Sequence, residues 1–416
     1  MNSSWKNLAA AFIAAAALAA TLVSALPQAS AADPRSFAMG STDVVTARGA
    51  DAVAWNPALL GLPSAPSVSV RLFQAGVRAD NNSFDLDQYR RFNGADWGDP
   101  QKSEILGSVP VDGLRLQAAA RAGAGFSIGR FGFYADGLGD GDGRFARDGV
   151  DFALYGNSLD RTYQVTGTGG TAFASARAVL GFAMPLARTS DAASAAGIQV
   201  AYERGIRWED GSTLEGTFRA ATDTAEVAGE FLLREGTRGD GFSLGLGYAK
   251  ETASGGRVSV AVRDLFNRTR WTGTDRRFHL RGTHGMNSSD NIDSLFTSSE
   301  DPAVPASFTT RRAAVASLGV EQFRGPLNLA LVVEKGLGES PGVSKQFRGA
   351  LGAEWHGFGP VALRGGISSG GGKGTWYSGG LGVHAGPWKL DLAVASRGLS
   401  YGSRGVGVAV GSSIEM

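Results

Sequence analysis

Residues 387–396 run PWKLDLAVAS, and this every-second-residue beat constrains the fold more than anything else in the chain. Trp388, Leu390, Leu392 and Val394 fall on one face of an extended backbone. Lys389, Asp391, Ala393 and Ala395 fall on the other. The beat recurs along the chain. Leu327, Leu329, Leu331 and Val333 alternate with Asn328, Ala330, Val332 and Glu334. Val258, Val260 and Val262 alternate with Ser259, Ala261 and Arg263, and Phe242, Leu244, Leu246 and Tyr248 with Ser243, Gly245 and Gly247. Val406, Val408 and Val410 alternate with Gly407 and Ala409, Val68, Val70 and Leu72 with Ser69 and Arg71, and Leu114 and Leu116 with Arg115 and Gln117. Such segments form strands with one apolar face and one polar or small face.

Two architectures use such strands. A soluble sandwich turns the apolar face inward, and a membrane barrel turns it outward to lipid. The alternating stretches run about nine to eleven residues, the length of a tilted bilayer crossing. The pattern continues over nearly the whole 416-residue chain without a break, whereas a sandwich closes after about 100 residues. The 61 glycines crowd the small face, which suits a filled lumen better than a solvated surface. The expected fold is all-β: one antiparallel transmembrane barrel of about 14 strands, within 12 to 16. A soluble periplasmic β protein is the rival fold.

The leader agrees with export. Lys6 precedes an apolar stretch from Leu8 to about Val23, then Pro27 and the small-x-small run Ala29-Ser30-Ala31. This is the pattern of a signal peptide over residues 1–31, cleaved near Ala31. No later stretch is apolar for about 18 residues, so a membrane-spanning fold here has to be a closed barrel. With no Cys there are no disulfides, thiolate metal sites or lipid anchor on sulfur, and a net charge of +1 excludes a nucleic-acid partner. Gly325-Pro326, Gly359-Pro360 and Gly386-Pro387 mark tight turns, while residues 80–111, 136–170, 267–310 and 336–346 read as long polar loops. Short turns at one rim and long loops at the other are the habit of outer-membrane barrels. Within residues 84–108 the spacing turns helical in two short pieces, the second starting with Asp99 as cap and Pro100.

Residues 32–66 cannot be barrel wall. They hold Ser36–Thr42 (SFAMGST) and Arg48–Gly61 (RGADAVAWNPALLG). Asn56 before Pro57 predicts a cap and first helical residue, Gly61 closes the turn, and Trp55 stands beside it. A small apolar helical element of this kind either plugs the lumen or seals the barrel floor structurally. The expected division is a signal peptide (1–31), a hatch or plug segment (32–66) and a barrel (67–416). The inward-facing residues Arg71, Arg115, Arg263, Glu334, Arg364, Lys389 and Asp391 line the lumen on this reading. There they either tune passage or satisfy one another.

The segment Ala38-Met39-Gly40 followed by Ala50–Leu60 (ADAVAWNPALL) resembles the N-terminal signature of FadL-type barrels. That group takes in long-chain fatty-acid transporters, PorV-like barrels of secretion systems and TraF-like exported proteins. Residues 80–111, Phe152–Asp160, 262–271 (VRDLFNRTRW) and 390–401 (LDLAVASRGLSY) are similar, across nearly the whole mature chain, to an outer-membrane barrel family of unknown function. The resemblance implies an N-terminal segment inside the barrel that gates a hydrophobic ligand route, with Trp55, Asn56, Pro57 and Ala58 at the hatch. It implies outer-membrane lipid as the surroundings, a small apolar ligand, and the barrel-insertion machinery as a partner. The chain departs from the usual aromatic C-terminus of such barrels, ending Ile414-Glu415-Met416.

Little else points to chemistry. Asp140–Gly143 (DGDG) lacks the remaining ligands of a calcium loop and reads as a turn, as does Arg238-Gly239-Asp240. Gly370–Thr375 (GGGKGT) fails the phosphate-loop spacing. His279, His284, His356 and His384 show no metal spacing, and His279 and His284 fall in a polar loop. No nucleophile elbow occurs. The sequence therefore calls for no cofactor, no metal and no enzyme. Its first reading is a FadL-type channel or transporter in the outer membrane. The alternatives are a non-transporting barrel that acts as scaffold or adaptor for a secretion or surface-assembly system, and an outer-membrane lipid hydrolase.

Overall fold

The alternating segments pair with their neighbours edge to edge until no free edge is left. The computed structural model describes residues 33–222, 224–285 and 297–416, so the expected signal peptide lies outside the described part. Fourteen antiparallel staves close a barrel. They are β1 (Val68–Asn81), β2 (Leu114–Ile128), β3 (Phe131–Phe145), β4 (Gly169–Arg188), β5 (Ala192–Ala220), β6 (Thr224–Thr252) and β7 (Gly256–Gly285). Then come β8 (Val315–Arg324), β9 (Leu327–Gly336), β10 (Arg348–Phe358), β11 (Val361–Gly370), β12 (Thr375–Ala385), β13 (Trp388–Arg397) and β14 (Gly405–Glu415). The barrel closes where β14 pairs β1, from Ser69 opposite Glu415 to Asp80 opposite Gly405. Thr297–Glu300 and Val304–Thr310 continue the β8 stave along the outer half of β7. Closure pairs the backbone groups that an open sheet would leave bare, which is the condition for strands to stand in lipid.

The face assignment follows the beat. Val258, Val260, Leu318, Val320, Leu329, Leu331, Leu392, Val394, Val406 and Val408 are exposed on the outside. Ser259, Ala261, Ser317, Ala330, Val332, Ala393 and Ala409 are buried inside. A continuous outward belt of large apolar side chains over a small, polar interior is the pattern of a membrane barrel, not of a sandwich. Among the described residues no helix is long and apolar enough to cross a membrane.

Every hairpin at one rim is tight. Gly325, Gly359 and Gly386 take φ of 57°, 63° and 61°, each followed by Pro. Gly with positive φ at the first central position gives the turn whose twist matches paired strands. The other rim carries the helical insert, Leu86–Phe92 and Asp99–Ser108, and a helix at Arg147–Tyr155. Gly98 is the cap residue of the second insert helix and Asp99 its first residue, so the helix starts one place earlier than the sequence suggests.

Here the structure corrects several expectations. Strands β4–β7 reach 20 to 30 residues, far beyond a bilayer crossing. Much of the expected loops 136–170 and 267–310 is therefore strand: beyond the lipid both faces of a stave meet water, so the alternation that marks a strand fades. Asp140–Gly143 lies within β3 and Arg238-Gly239-Asp240 within β6, not in turns. His279 and His284 lie in β7 rather than in a loop.

Candidate functional site

Residues 33–62 form three short helices, Pro34–Ala38, Asp43–Thr46 and Gly49–Trp55, then a tight helical turn, Pro57–Gly61. Asp33 caps the first through its side chain, and Asn56 Oδ1 accepts from the Ala58 amide at 3.1 Å to start the last. The segment is too short and too varied in direction to be stable alone. Burial holds it. Its side chains reach staves on every side. Val53, Leu59 and Leu60 pack on Tyr134, Val179, Ala183 and Ala195. Met39, Val44 and Val45 pack on Ala261, Ala330, Val332 and Ala350, and Phe37 and Ala38 on Trp376, Ala393 and Ala409.

The wall receives this segment on glycine. A Cβ added at Gly319, Gly352, Gly380 or Gly407 would stand 2.6–2.8 Å from an atom of Val45, Met39, Ala38 or Phe37. The hatch thus comes into near contact with the wall's backbone, which only a missing side chain permits.

Two polar layers flank the apolar disc. On the tight-turn side, carboxylates and arginines of the segment and wall interlock. Glu321 of β8 accepts from Arg48 at 2.9 and 2.8 Å, from Arg257 at 2.7 Å and from Asn328 at 2.8 Å. Glu354 accepts from Arg35 at 2.8 and 2.7 Å and from Arg364 at 2.6 Å, and Arg364 reaches Asp391 at 2.7 Å. Arg71 donates to Asp51, and to Asp33 at 3.1 Å. Lys389 pairs Glu415 at 2.5 Å. Arg35, Arg48, Arg71, Glu354, Lys389 and Asp391 of this layer line a cavity of about 340 Å³ that His356 and His384 also line.

On the long-loop side, a second cavity of about 300 Å³ is lined by Trp55, Asp43, Arg121, Arg177, Arg263, Glu334 and Arg348, among others. Among the described residues none lines both cavities. Trp55 lies between two guanidiniums, with Arg121 4.9 Å and Arg263 4.1 Å from the ring centroid. Arg121 and Arg177 share Asp136, while Arg263 and Arg348 share Glu334. Arg348 also donates to the Gly40 and Ser41 carbonyls of the segment. The helical segment therefore divides the lumen into two chambers lined by charged and polar side chains.

The wall is interrupted beside the upper chamber. Residues 264–268 of β7 face 311–314 without ladder pairing. Asp264 and Phe266 take φ of 56° and 55°, strained for residues with a side chain. Side chains fill the break: the Arg312 amide donates to Asn267 Oδ1 at 2.8 Å, and its guanidinium to Glu203 at 2.7 Å and Asp264 at 3.2 Å.

Of the seven wall residues expected to line the lumen, Arg71, Arg364, Lys389 and Asp391 gather in the lower layer, and Arg263 and Glu334 in the upper. Arg115 joins neither. It sits half-exposed at the mouth, 3.8 Å from Asp142. Sequence reasoning missed Glu321, Glu354 and Arg257, although each falls on the small face of its strand. It also missed Asp33 and Asp51, which both meet Arg71, and Arg35 and Arg48, whose partners Glu354 and Glu321 lie hundreds of residues away. Among the described residues no three metal-ligating side chains cluster.

No protein-family profile matches the chain, and no curated protein matches it in sequence. Solved structures do match in shape. A deletion mutant of the TodX monoaromatic hydrocarbon channel is similar over 94% of this chain and 100% of its own, with 11% identity and a TM-score of 0.55. A FadL homologue from Pseudomonas aeruginosa covers 94% and 99%, with 12% identity and a TM-score of 0.51. The CymD monoaromatic hydrocarbon channel covers 92% and 97%, with 10% identity and a TM-score of 0.51. The chain thus has the fold of the FadL-type outer-membrane channels, a 14-stranded barrel with a helical N-terminal segment.

Proposed function

We propose that the protein is an outer-membrane channel that passes a small molecule with an apolar body, and that residues 32–66 are its hatch. The observation that supports this reading is the apolar disc of residues 33–62 between two separate chambers, latched to the wall by ion pairs on the tight-turn side and by hydrogen bonds from Arg348 to the Gly40 and Ser41 carbonyls on the other. A segment needed only as a core would not require a chamber on each face. Burial of its helices closes the path, while the polar latches are short-range contacts that can exchange with water. Trp55, Asn56, Pro57 and Ala58 form the turn by which the hatch meets β5–β7. The ligand's apolar character is supported by the channels with the same fold, two of which are described as hydrocarbon channels. The filled break between β7 and the β8 stave is a second place where a ligand can leave the upper chamber, toward lipid. Deleting residues 32–66 tests the hatch. Conductance in a planar bilayer should rise sharply over that of the full chain, with the unboiled protein still migrating as a compact barrel on a detergent gel. Unchanged conductance from a folded barrel would overturn it.

A further inference from the structure

The outside of the barrel carries a second feature that passage through the lumen does not use. On β5–β7 the lipid-facing belt ends upward in aromatics: Tyr202 and Phe242 are exposed, and Phe266 beside the wall break is 76% exposed. Directly above, the outward positions turn basic. The register sets Arg268 opposite Phe242 and Arg270 opposite Asp240, with Arg204 on the far side of Asp240. Arg311 follows Thr310, the residue paired with Thr269, so the chain brings it beside Arg268. Arg268, Arg270 and Arg311 are all exposed.

The only acid within this group is already engaged. Asp240 accepts from Tyr202 Oη at 2.6 Å and from Arg204 at 2.6 Å, and Arg238 stands 3.7 Å away. Among the described residues, the side chains of Arg268, Arg270 and Arg311 make no ion pair or hydrogen bond. Elsewhere on these protruding strands the arginines are paired: Arg207 with Glu209 and Glu235, Arg234 with Asp275, Arg276 with Glu300, Arg277 with Glu230. Three adjacent unpaired guanidiniums repel one another and are the exception.

Their height is the second constraint. From Gly256 at the tight-turn rim to Arg268 is twelve residues, about 30 Å at roughly 3.3 Å per residue and a tilt near 40°. The apolar band of such a barrel is about 25 Å tall. The three arginines therefore stand just outside the hydrocarbon, on the long-loop side, at head-group level. Arginine at this depth keeps its stem along apolar surface and its fork in the polar layer. The fork geometry of guanidinium matches phosphate oxygens two at a time.

We infer that Arg268, Arg270 and Arg311 form a docking site for the phosphate-bearing head group of an outer-leaflet lipid, whose chains lie on Phe242 and Phe266. The inference rests on the membrane-barrel reading and not on the channel reading, since binding here requires no conduction. The site also lies against the break in the β7–β8 wall, so an anchored lipid covers the strained turn at Asp264 and Phe266.

The test uses the full chain in phosphatidylcholine vesicles containing about 5% of a bis-phosphorylated diglucosamine lipid, followed by detergent extraction and mass measurement of the intact complex. The wild-type protein should retain the phosphorylated lipid. The triple variant R268Q/R270Q/R311Q should retain at least roughly ten-fold less, while R268K/R270K/R311K keeps part of the binding because charge remains without the fork. Migration of unboiled against boiled protein shows that each variant is folded, and the single glutamine variants, each expected to lose part of the binding, serve if the triple one is not. Equal retention by wild-type protein and the glutamine variants would overturn the site. So would equal retention of the dephosphorylated lipid, or displacement by millimolar inorganic phosphate, which would make the ligand a free anion. Channel conductance is read separately, so failure of one proposal leaves the other standing.

Discussion

Replacing Glu321 by Gln is the sharpest probe of the lower latch. Its carboxylate is fully buried and serves Arg48 of the hatch and Arg257 of the wall together. Gln keeps the volume and one acceptor but removes the charge. The buried guanidinium of Arg257 and the part-buried one of Arg48 then face one another across a neutral group. Stripping a buried ion pair of one partner costs about 3–5 kcal/mol. Undocking the hatch carries Arg48 to water and relieves that cost, so the open form gains most of it. Taking about 3 kcal/mol, at roughly 1.4 kcal/mol per factor of ten, the ratio of open to closed channels rises on the order of a hundred-fold. Single-channel recording in a planar bilayer reads this directly as the fraction of time spent open. Arg48→Gln should act in the same direction, and the double variant should fall well short of the sum of the two effects, because both remove one contact. A folded Glu321→Gln barrel with wild-type closed times would refute the latch, because the ion pair would then be holding the wall and not the hatch.

Three further outcomes follow from the same geometry. Gly352→Val places a Cβ about 2.6 Å from the Met39 side chain, so the hatch has to shift; limited proteolysis should cut within residues 33–66 while the barrel keeps its gel shift. Asn56→Ala removes the 3.1 Å cap on Ala58 and the 2.8 Å bond to Ser259 Oγ, weakening that turn by about 1–2 kcal/mol, seen as faster amide exchange over residues 56–62. Burial lifts the Asp43 carboxyl of the hatch from 3.8 to about 7, with repulsion from Asp33 and Glu334 added and Arg263 opposing. A carboxyl raised on docking stabilises the docked form at low pH and loses that contribution as pH rises toward and through about 7. Open fraction should therefore increase between pH 5 and pH 8, and Asp43→Asn should flatten the profile.

The comparison of expectation with structure shows where sequence logic reaches. The alternation in β9, β13 and β14 was legible because one face of each stave meets lipid and the other meets the hatch, so the two environments differ at every step. The same logic lost β4–β7 above the membrane, where both faces are wet, and the upper end of β3, where Asp140–Gly143 looks like a turn. The cap at Asn56 was legible because a helix start is local chemistry. The latches were not: Arg35 and Glu354 are 319 residues apart, and Arg48 and Glu321 are 273. Arg71, Arg263, Glu334, Arg364, Lys389 and Asp391 could be assigned to the inner face by parity, but parity does not give height, so one list split into two layers and Arg115 fell at the mouth. By itself the sequence determined that the chain forms apolar-outside strands, that no disulfide supports them, and that residues 33–66 are not built like the strands of the wall. Only the tertiary structure decided which carboxylate meets which arginine, that glycine is the surface on which the hatch rests, and that three arginines outside the barrel have no partner among the described residues. The period of a strand is written in neighbouring residues, while a contact across a closed barrel depends on register and tilt summed over fourteen staves.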